Sequence, residues 1–263
     1  MPELAARGVE IAWRERGAGP PVLLIHETAA TGEIWDPVAA ELAESARAIT
    51  YDRRGWGDSS APEDYRRTTI EEQSEDAAAL LDAAADSPAV VAGAGLGAVI
   101  ALDLLLRRAD LARAALLVEP PLLQLLPVAT EALSDDRRRL EGAAAAGEDV
   151  IGLYLAGGLP ALGPGVSRLP QELTAAAREH PRSVVAELGI AAGWRVPLPR
   201  LAGAGSPSAI VTSSSTPPLL RDASEALGGR LARSSRRQVV GDGGPPHLAA
   251  AAEVAALGLE LSR

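Results

Sequence analysis

The residues Gly93-Ala94-Gly95-Leu96-Gly97-Ala98 follow an apolar run and precede a stretch of helical periodicity, and they admit two chemistries. In the register Gly93-x-Gly95-x-x-Ala98, with Glu119 at the end of the next strand as a ribose acid, they form a dinucleotide-binding fingerprint. In the register Gly93-x-x-x-Gly97 they form a G-x-S-x-G turn, which presents a serine nucleophile between a strand and a helix, with Gly95 in the place of the serine. Other reactive side chains are few. There are three histidines, His26, His180 and His247, and no cysteine, which excludes disulfides and thiol catalysis. Glu27 and Glu119 are carboxylates that desolvation would turn into acids or bases. No His, Asp and Glu stand at metal-ligand spacing, there is no phosphate loop, and the chain has no lysine to complete one. No cofactor and no metal are expected.

The elements that must position these residues follow from hydrophobic period. Glu10 to Arg16 alternates and ends at Gly17-Ala18-Gly19, which predicts an edge hairpin strand. Pro21 to Ile25 is a continuous apolar run, as in a strand buried on both faces of a parallel sheet. Trp35 to Ala43 has helical period, and Ala46 to Tyr51 reads as a strand. A helix opens at Thr69 with the acidic turn Glu71-Glu72 and runs to about Ala84. Ala89 to Ala92 is a strand, Leu96 to Arg108 a helix, and Ala114 to Val118 a strand. Alternating strands and helices predict an α/β fold with a mostly parallel sheet covered on both faces. From Leu122 to Arg200 the strand signal stops, and helical segments alternate with Gly/Pro breaks, as in a lid over the sheet's carboxyl edge. The α/β rhythm returns with strands at Ser208 to Thr212 and Gln238 to Val240, a helix over Pro218 to Leu227, and a last helix from about Leu248. The domain division is therefore 1–121 with 201–263 as the core and 122–200 as the cap.

Composition bounds the partners. The 263 residues carry a formal charge of −10, which argues against nucleic acid and anionic membranes as partners. The clusters Arg137-Arg138-Arg139 and Arg236-Arg237 read as solvated faces. No apolar run reaches the length of about 20 residues that a membrane span needs, and the N-terminal residues are charged where a signal peptide is apolar, so the expected location is cytoplasmic. The absence of Phe makes the core aliphatic.

Four blocks in order resolve the choice between the two registers. They are Pro21-Val22-Leu23-Leu24-Ile25-His26 followed by Trp35-Asp36-Pro37, then Tyr51-Asp52-Arg53-Arg54-Gly55-Trp56-Gly57-Asp58-Ser59, then Gly93 to Gly97, and last Gly241-Asp242-Gly243 before the final helix. Together they resemble the α/β-hydrolase family, particularly small bacterial members, over nearly the entire chain. The resemblance implies an α/β-hydrolase fold with a helical lid. It puts Gly95 at the nucleophile position, the Leu96 and Thr28 N–H groups at the oxyanion hole, and Gly244 at the position of the base histidine, with His247 in place of a second histidine of the pattern. His247 serves as base only if that loop slips by three residues. The usual acid position after Ser208 to Thr212 holds no carboxylate, whereas Glu119 stands where some relatives keep one. Asp52 and Arg53 resemble residues that brace the sheet edge, His26 a structural histidine, and Trp194 is the lid residue best placed to touch a ligand.

Without a nucleophile and base in reach, Ser-His-acid hydrolysis is not expected. The leading expectation is a non-hydrolytic enzyme that shapes a mostly apolar small molecule for cyclisation, including cycloaddition, isomerisation or elimination, in secondary metabolism. Glu119, Glu27 and His247 are its candidate catalytic residues, and Thr28, Leu96, Gly95, Gly244 and Trp194 its pocket. The alternatives are a binding or regulatory protein without catalysis, and an atypical hydrolase that uses His247 and water. A homodimer is the expected assembly if the chain associates.

Overall fold

The computed structural model describes residues 2–263. In chain order the core elements are β1 (Glu3–Ala6), β2 (Val9–Arg16), β3 (Pro21–Ile25), α1 (Asp36–Leu42), β4 (Arg47–Tyr51), α2 (Ile70–Ala84), β5 (Ala89–Ala94), α3 (Leu96–Arg107) and β6 (Ala112–Val118). Six helices follow, all but the first short: α4 (Ala129–Ala145), α5 (Val150–Leu155), α6 (Ala175–Glu179), α7 (Pro181–Glu187), α8 (Ile190–Gly193) and α9 (Leu198–Gly203). The chain returns to the sheet with β7 (Ser208–Ser213), α10 (Pro218–Gly228), β8 (Ser234–Val239), α11 (Pro246–Ala249) and α12 (Ala251–Ser262). The sheet has eight strands in the order β1-β2-β4-β3-β5-β6-β7-β8. Only the β1–β2 and β2–β4 pairs are antiparallel. This is the α/β-hydrolase fold that the sequence implied.

Side chains alternate across each strand, so one apolar run feeds two layers. Leu23 and Ile25 of β3 pack with Val91 and with Val99 and Leu102 of α3, while Val22 and Leu24 pack with Val38 of α1 and Val254 of α12. All five β3 residues are buried, which is why the run carries no polar alternation. Thr69 caps α2 by accepting the Glu72 N–H at 3.1 Å.

Two strands differ from expectation. β2 is not the edge of the sheet, because the hairpin turn at Arg7 and Gly8, at φ 49° and 81°, folds the short strand β1 outside it. β8 begins at Ser234 rather than Gln238, because it is the opposite edge: Arg236 and Arg237 are exposed and paired with Glu225 and Glu260, so the strand reads as polar. Among the described residues no helix is long and apolar enough to cross a membrane.

Candidate active site

The turn between β5 and α3 is built for close backbone approach. A Cβ on Gly93 would lie 2.1 Å from the Gly97 carbonyl oxygen, and one on Gly97 would lie 2.1 Å from that of Ile25. Gly95, between them, has φ 52° and ψ −121°, a region that L side chains enter only under strain. Its N–H donates to the Val118 carbonyl at 3.0 Å, and its own carbonyl accepts the Ala98 N–H at 3.1 Å at the start of α3. The Leu96 N–H opens that helix without an intrahelical acceptor. Neither it nor the Thr28 N–H has an acceptor among the described residues.

What stands over Gly95 is the side chain of Glu27. A Cβ on Gly95 would meet the Glu27 Cβ at 3.0 Å and Oε2 at 3.3 Å, so Glu27 fills the volume that a side chain at Gly95 would claim. Its other oxygen, Oε1, lies 3.3 Å from Nε2 of His247, within ion-pair distance. His247 is fully buried on α11, its ring 4.7 Å from that of Trp35, and among the described residues neither ring nitrogen has a hydrogen-bond partner. An imidazole kept dry and unbonded beside a carboxylate costs stability unless something makes use of it.

Glu119 and Gly244 belong to a second cluster. Glu119 Oε1 accepts from the Thr216 hydroxyl at 2.5 Å, and Oε2 pairs with Arg168, which follows the turn Gly163-Pro164-Gly165 of the lid. The same guanidinium donates to the Gly244 carbonyl at 3.1 Å. Arg168 therefore spans from the acid position to the base position of the resemblance. Glu119 itself sits at φ 48°, a strained backbone held by these bonds and by its N–H on the Val211 carbonyl.

A third cluster fastens the lid. Glu187, at the end of α7 and fully buried, pairs with Arg53 through two bonds of 2.6 and 2.9 Å, and accepts from Trp56 Nε1 at 2.8 Å and Gln73 at 3.2 Å. It also accepts from the Thr28 hydroxyl at 2.7 Å, which ties the lid to the loop after β3. His26 braces this loop. Its Nε2 accepts the Arg53 N–H at 2.9 Å, so its proton is on Nδ1 and is donated to the Glu27 carbonyl at 2.8 Å. Burial first, and then the Arg53 charge, hold its pKa well below the ordinary imidazole value.

A cavity of about 50 Å³ lies among Glu27, Thr28, Gly95, Leu96, Tyr154 and Glu187, with the lid residues Ala161 to Pro164 and Val166 along its wall. Four of the expected residues, Glu27, Thr28, Gly95 and Leu96, line it, and His247 backs Glu27. Gly244 and Glu119 lie outside, held by Arg168. Trp194 also lies elsewhere: it packs in the apolar layer with Leu122 and Leu201 and does not line the cavity. Three lid residues were not anticipated, Tyr154, Arg168 and Glu187. Glu187 had a signal, a carboxylate on a helix whose neighbours Val184 and Ala186 are apolar. Tyr154 is buried, and desolvation followed by the nearby Glu27 and Glu187 charges push its pKa up, so it stays protonated.

Comparison with known proteins gives the geometry a setting. Residues 22–257 match the alpha/beta hydrolase family. The chain is 37% identical over 123 residues to the uncharacterized hydrolase YraK of Bacillus subtilis, a match covering 47% of this chain and 45% of the relative. Its matches span less than half the length of the curated relatives. Among solved structures it is similar to an alpha/beta hydrolase from Sphaerobacter thermophilus (23% identity, TM-score 0.72, all of both chains covered). It is also similar to a thermophilic esterase from Thermogutta terrifontis (22% identity, TM-score 0.76, 98% of this chain and 95% of the other). At these identities the two structures speak for the fold.

Proposed function

The chain belongs to the alpha/beta hydrolase family, and from that premise we propose that it is a proton-transfer enzyme acting on a small carbonyl compound without a covalent intermediate. Gly95 stands where the family's serine stands and Gly244 where its base stands, so neither nucleophile nor relay is available. The observation that carries the reading is the Glu27 carboxylate set over the elbow, with His247 3.3 Å behind it. A carboxylate there faces the position where a substrate carbonyl would sit against the Leu96 and Thr28 N–H groups. Glu27 takes a proton from the carbon next to that carbonyl, the C–H electron pair becomes part of a C=C bond, and the oxygen carries the charge between the two N–H donors. Isomerisation and elimination both start from that enolate.

The cavity suits a small ligand: at about 10–15 Å³ per water-sized position it holds about four waters. The test is deuterium exchange at the α-carbons of butanone in D₂O, followed by proton NMR. Exchange above the background of buffer carboxylate is expected, with a loss of about 10²-fold or more in Glu27→Gln, the range for a general base. Equal exchange in the Gln variant, or none above background, overturns the reading. A second reading, a binding protein without catalysis, draws on Arg168, which occupies the span between Glu119 and Gly244; it predicts that butanone binds without exchange.

A further inference from the structure

A second hollow lies within the lid, of about 410 Å³ and bordered chiefly by apolar groups, among them Leu155, Ala156 and Leu169. It reaches solvent past Arg178, whose side chain is 60% exposed. Among the described residues only Val166 borders both this hollow and the cavity at Glu27, which measures about 50 Å³. The buried Val166 side chain is therefore the partition between them. It belongs to a single turn of 3-10 helix, Val166–Arg168, entered through Gly165 at φ 85°. Backbone bonds at this turn stay local: the Val166 N–H donates to the Gly163 carbonyl at 3.3 Å and the Arg168 N–H to that of Gly165 at 3.0 Å. So short a turn is weakly bonded and needs an outside anchor. The Arg168 guanidinium is that anchor, paired with Glu119 after β6 and donating to the Gly244 carbonyl at 3.1 Å. The other tether of the segment is Asp136 of α4, which accepts the Ala161 and Leu162 N–H groups at 2.6 and 2.9 Å. Between the two tethers run Gly163, Pro164 and Gly165.

Resting on the proton-transfer reading above, we infer that Val166, held in place by Arg168, is the size filter of the site, which accepts ketones that end at this side chain and refuses those with a longer apolar arm. A ketone seated with its carbonyl on the Leu96 and Thr28 N–H groups can extend past the cavity only by displacing Val166. An arm that passes it enters a space that is already apolar and many times larger, where burial of its surface is favourable. The filter is therefore one side chain, and Arg168 acts through it as a positioning residue. Shortening Val166 joins the two spaces without touching Glu27, Gly95 or the N–H donors.

Butanone and 4-phenylbutan-2-one carry the same methyl ketone and differ in the arm beyond it, so they make the test. Exchange of their α-hydrogens is measured in D₂O, and each rate is divided by that ketone's own acetate-catalysed rate, which removes the intrinsic acidity difference. Binding is read in parallel by saturation-transfer NMR, so that size selection is scored even without turnover. In the wild type butanone is expected to lead by about tenfold or more in corrected exchange and in affinity. Val166→Ala removes the partition. Glu119→Gln with Arg168→Met releases its anchor without leaving a buried charge unpaired. Each is expected to improve 4-phenylbutan-2-one relative to butanone by about tenfold or more, and Val166→Ala keeps the Arg168 anchor, so it decides the matter even if the double variant unfolds. Equal treatment of the two ketones by the wild type, or a failure of 4-phenylbutan-2-one to gain in Val166→Ala, overturns the inference. A gain in Val166→Ala with none in a folded double variant overturns the role given to Arg168. If Glu27→Gln abolishes exchange while Val166→Ala leaves the ratio unchanged, the base reading stands and this inference alone fails. If neither ketone exchanges, the base reading fails, and the affinity ratio still decides the size filter.

Discussion

Placing an alanine at Gly95 tests whether Glu27 occupies the ground above the elbow. Two costs follow from the structure. The backbone at φ 52°, ψ −121° penalises any L side chain by about 1–3 kcal/mol. The new Cβ would also stand 3.0 Å from the Glu27 Cβ and 3.3 Å from Oε2, and relieving such overpacking costs about 1–3 kcal/mol. Only the second cost depends on Glu27. A cycle of Gly95→Ala, Glu27→Gly and the double variant separates them, because the backbone penalty appears in both backgrounds and cancels. In wild type the substitution is expected to cost about 2–6 kcal/mol, and in Glu27→Gly about 1–3. At about 2–4 °C per kcal/mol for a domain of this size, the melting temperature falls about 2–12 °C less in the second background. Glu27→Ala is the internal control: it removes Oε2 but keeps the Cβ at 3.0 Å, so it relieves only part of the strain. Chemical and thermal unfolding supply the measurements. If Gly95→Ala costs the same with and without Glu27, the carboxylate is not over the elbow, and the proton-transfer reading loses its ground.

Two further outcomes follow from the same contacts. His26 is buried and neutral with a depressed pKa, so below the unfolded imidazole value of about 6.5 the unfolded chain binds a proton that the native one does not. Stability is therefore full above that pH and is lost as the pH falls, by up to about 1.4 kcal/mol per pH unit from this group; a His26→Gln variant, less stable at pH 8, should show a shallower decline between pH 7 and pH 5 in thermal melts, and parallel declines would refute the assignment. Restoring a serine site should need four changes rather than two. Gly95→Ser with Gly244→His leaves Glu27 over the serine and Arg168 on the residue-244 carbonyl, so p-nitrophenyl acetate hydrolysis is expected only when Glu27→Gly and Arg168→Ala are added; equal activity in the double and quadruple variants would show that neither side chain blocks the site.

How far the sequence spoke for itself depended on whether a signal was local. The apolar runs Pro21 to Ile25 and Ala89 to Ala92 and the capped helix after Thr69 are set by side-chain period within one element, and the structure has each of them. β1 was missed because four residues of an edge strand, only one of them buried, carry too short a pattern. The start of β8 was missed because an exposed edge selects arginine and serine, which read as loop. In the site, the glycine turn was legible because close backbone approach demands glycine at 93 and 97 whatever the neighbours are.

The pairing of Glu27 with His247 was not legible, since it joins a loop near the start of the chain to a helix near its end, and no period links them. The lid contributions of Tyr154, Arg168 and Glu187 were hidden for a related reason: short helices broken by Gly and Pro have no fixed angle to one another in sequence terms, so which faces meet the core is decided by tertiary contacts alone. Those contacts are ionic and buried. Arg53 and Glu187 are fully desolvated, and such a pair is costly to break although it adds little over an apolar substitute. Its physical value here is geometric, because Glu187 also accepts from the Thr28 hydroxyl and so ties the lid to the loop after β3. A Glu187→Gln change keeps the shape but removes the charge that the buried Arg53 faces, and it is expected to cost about 3–5 kcal/mol in thermal and chemical unfolding, because the guanidinium is left uncompensated. A variant as stable as the wild type would show that this pair does not fasten the lid.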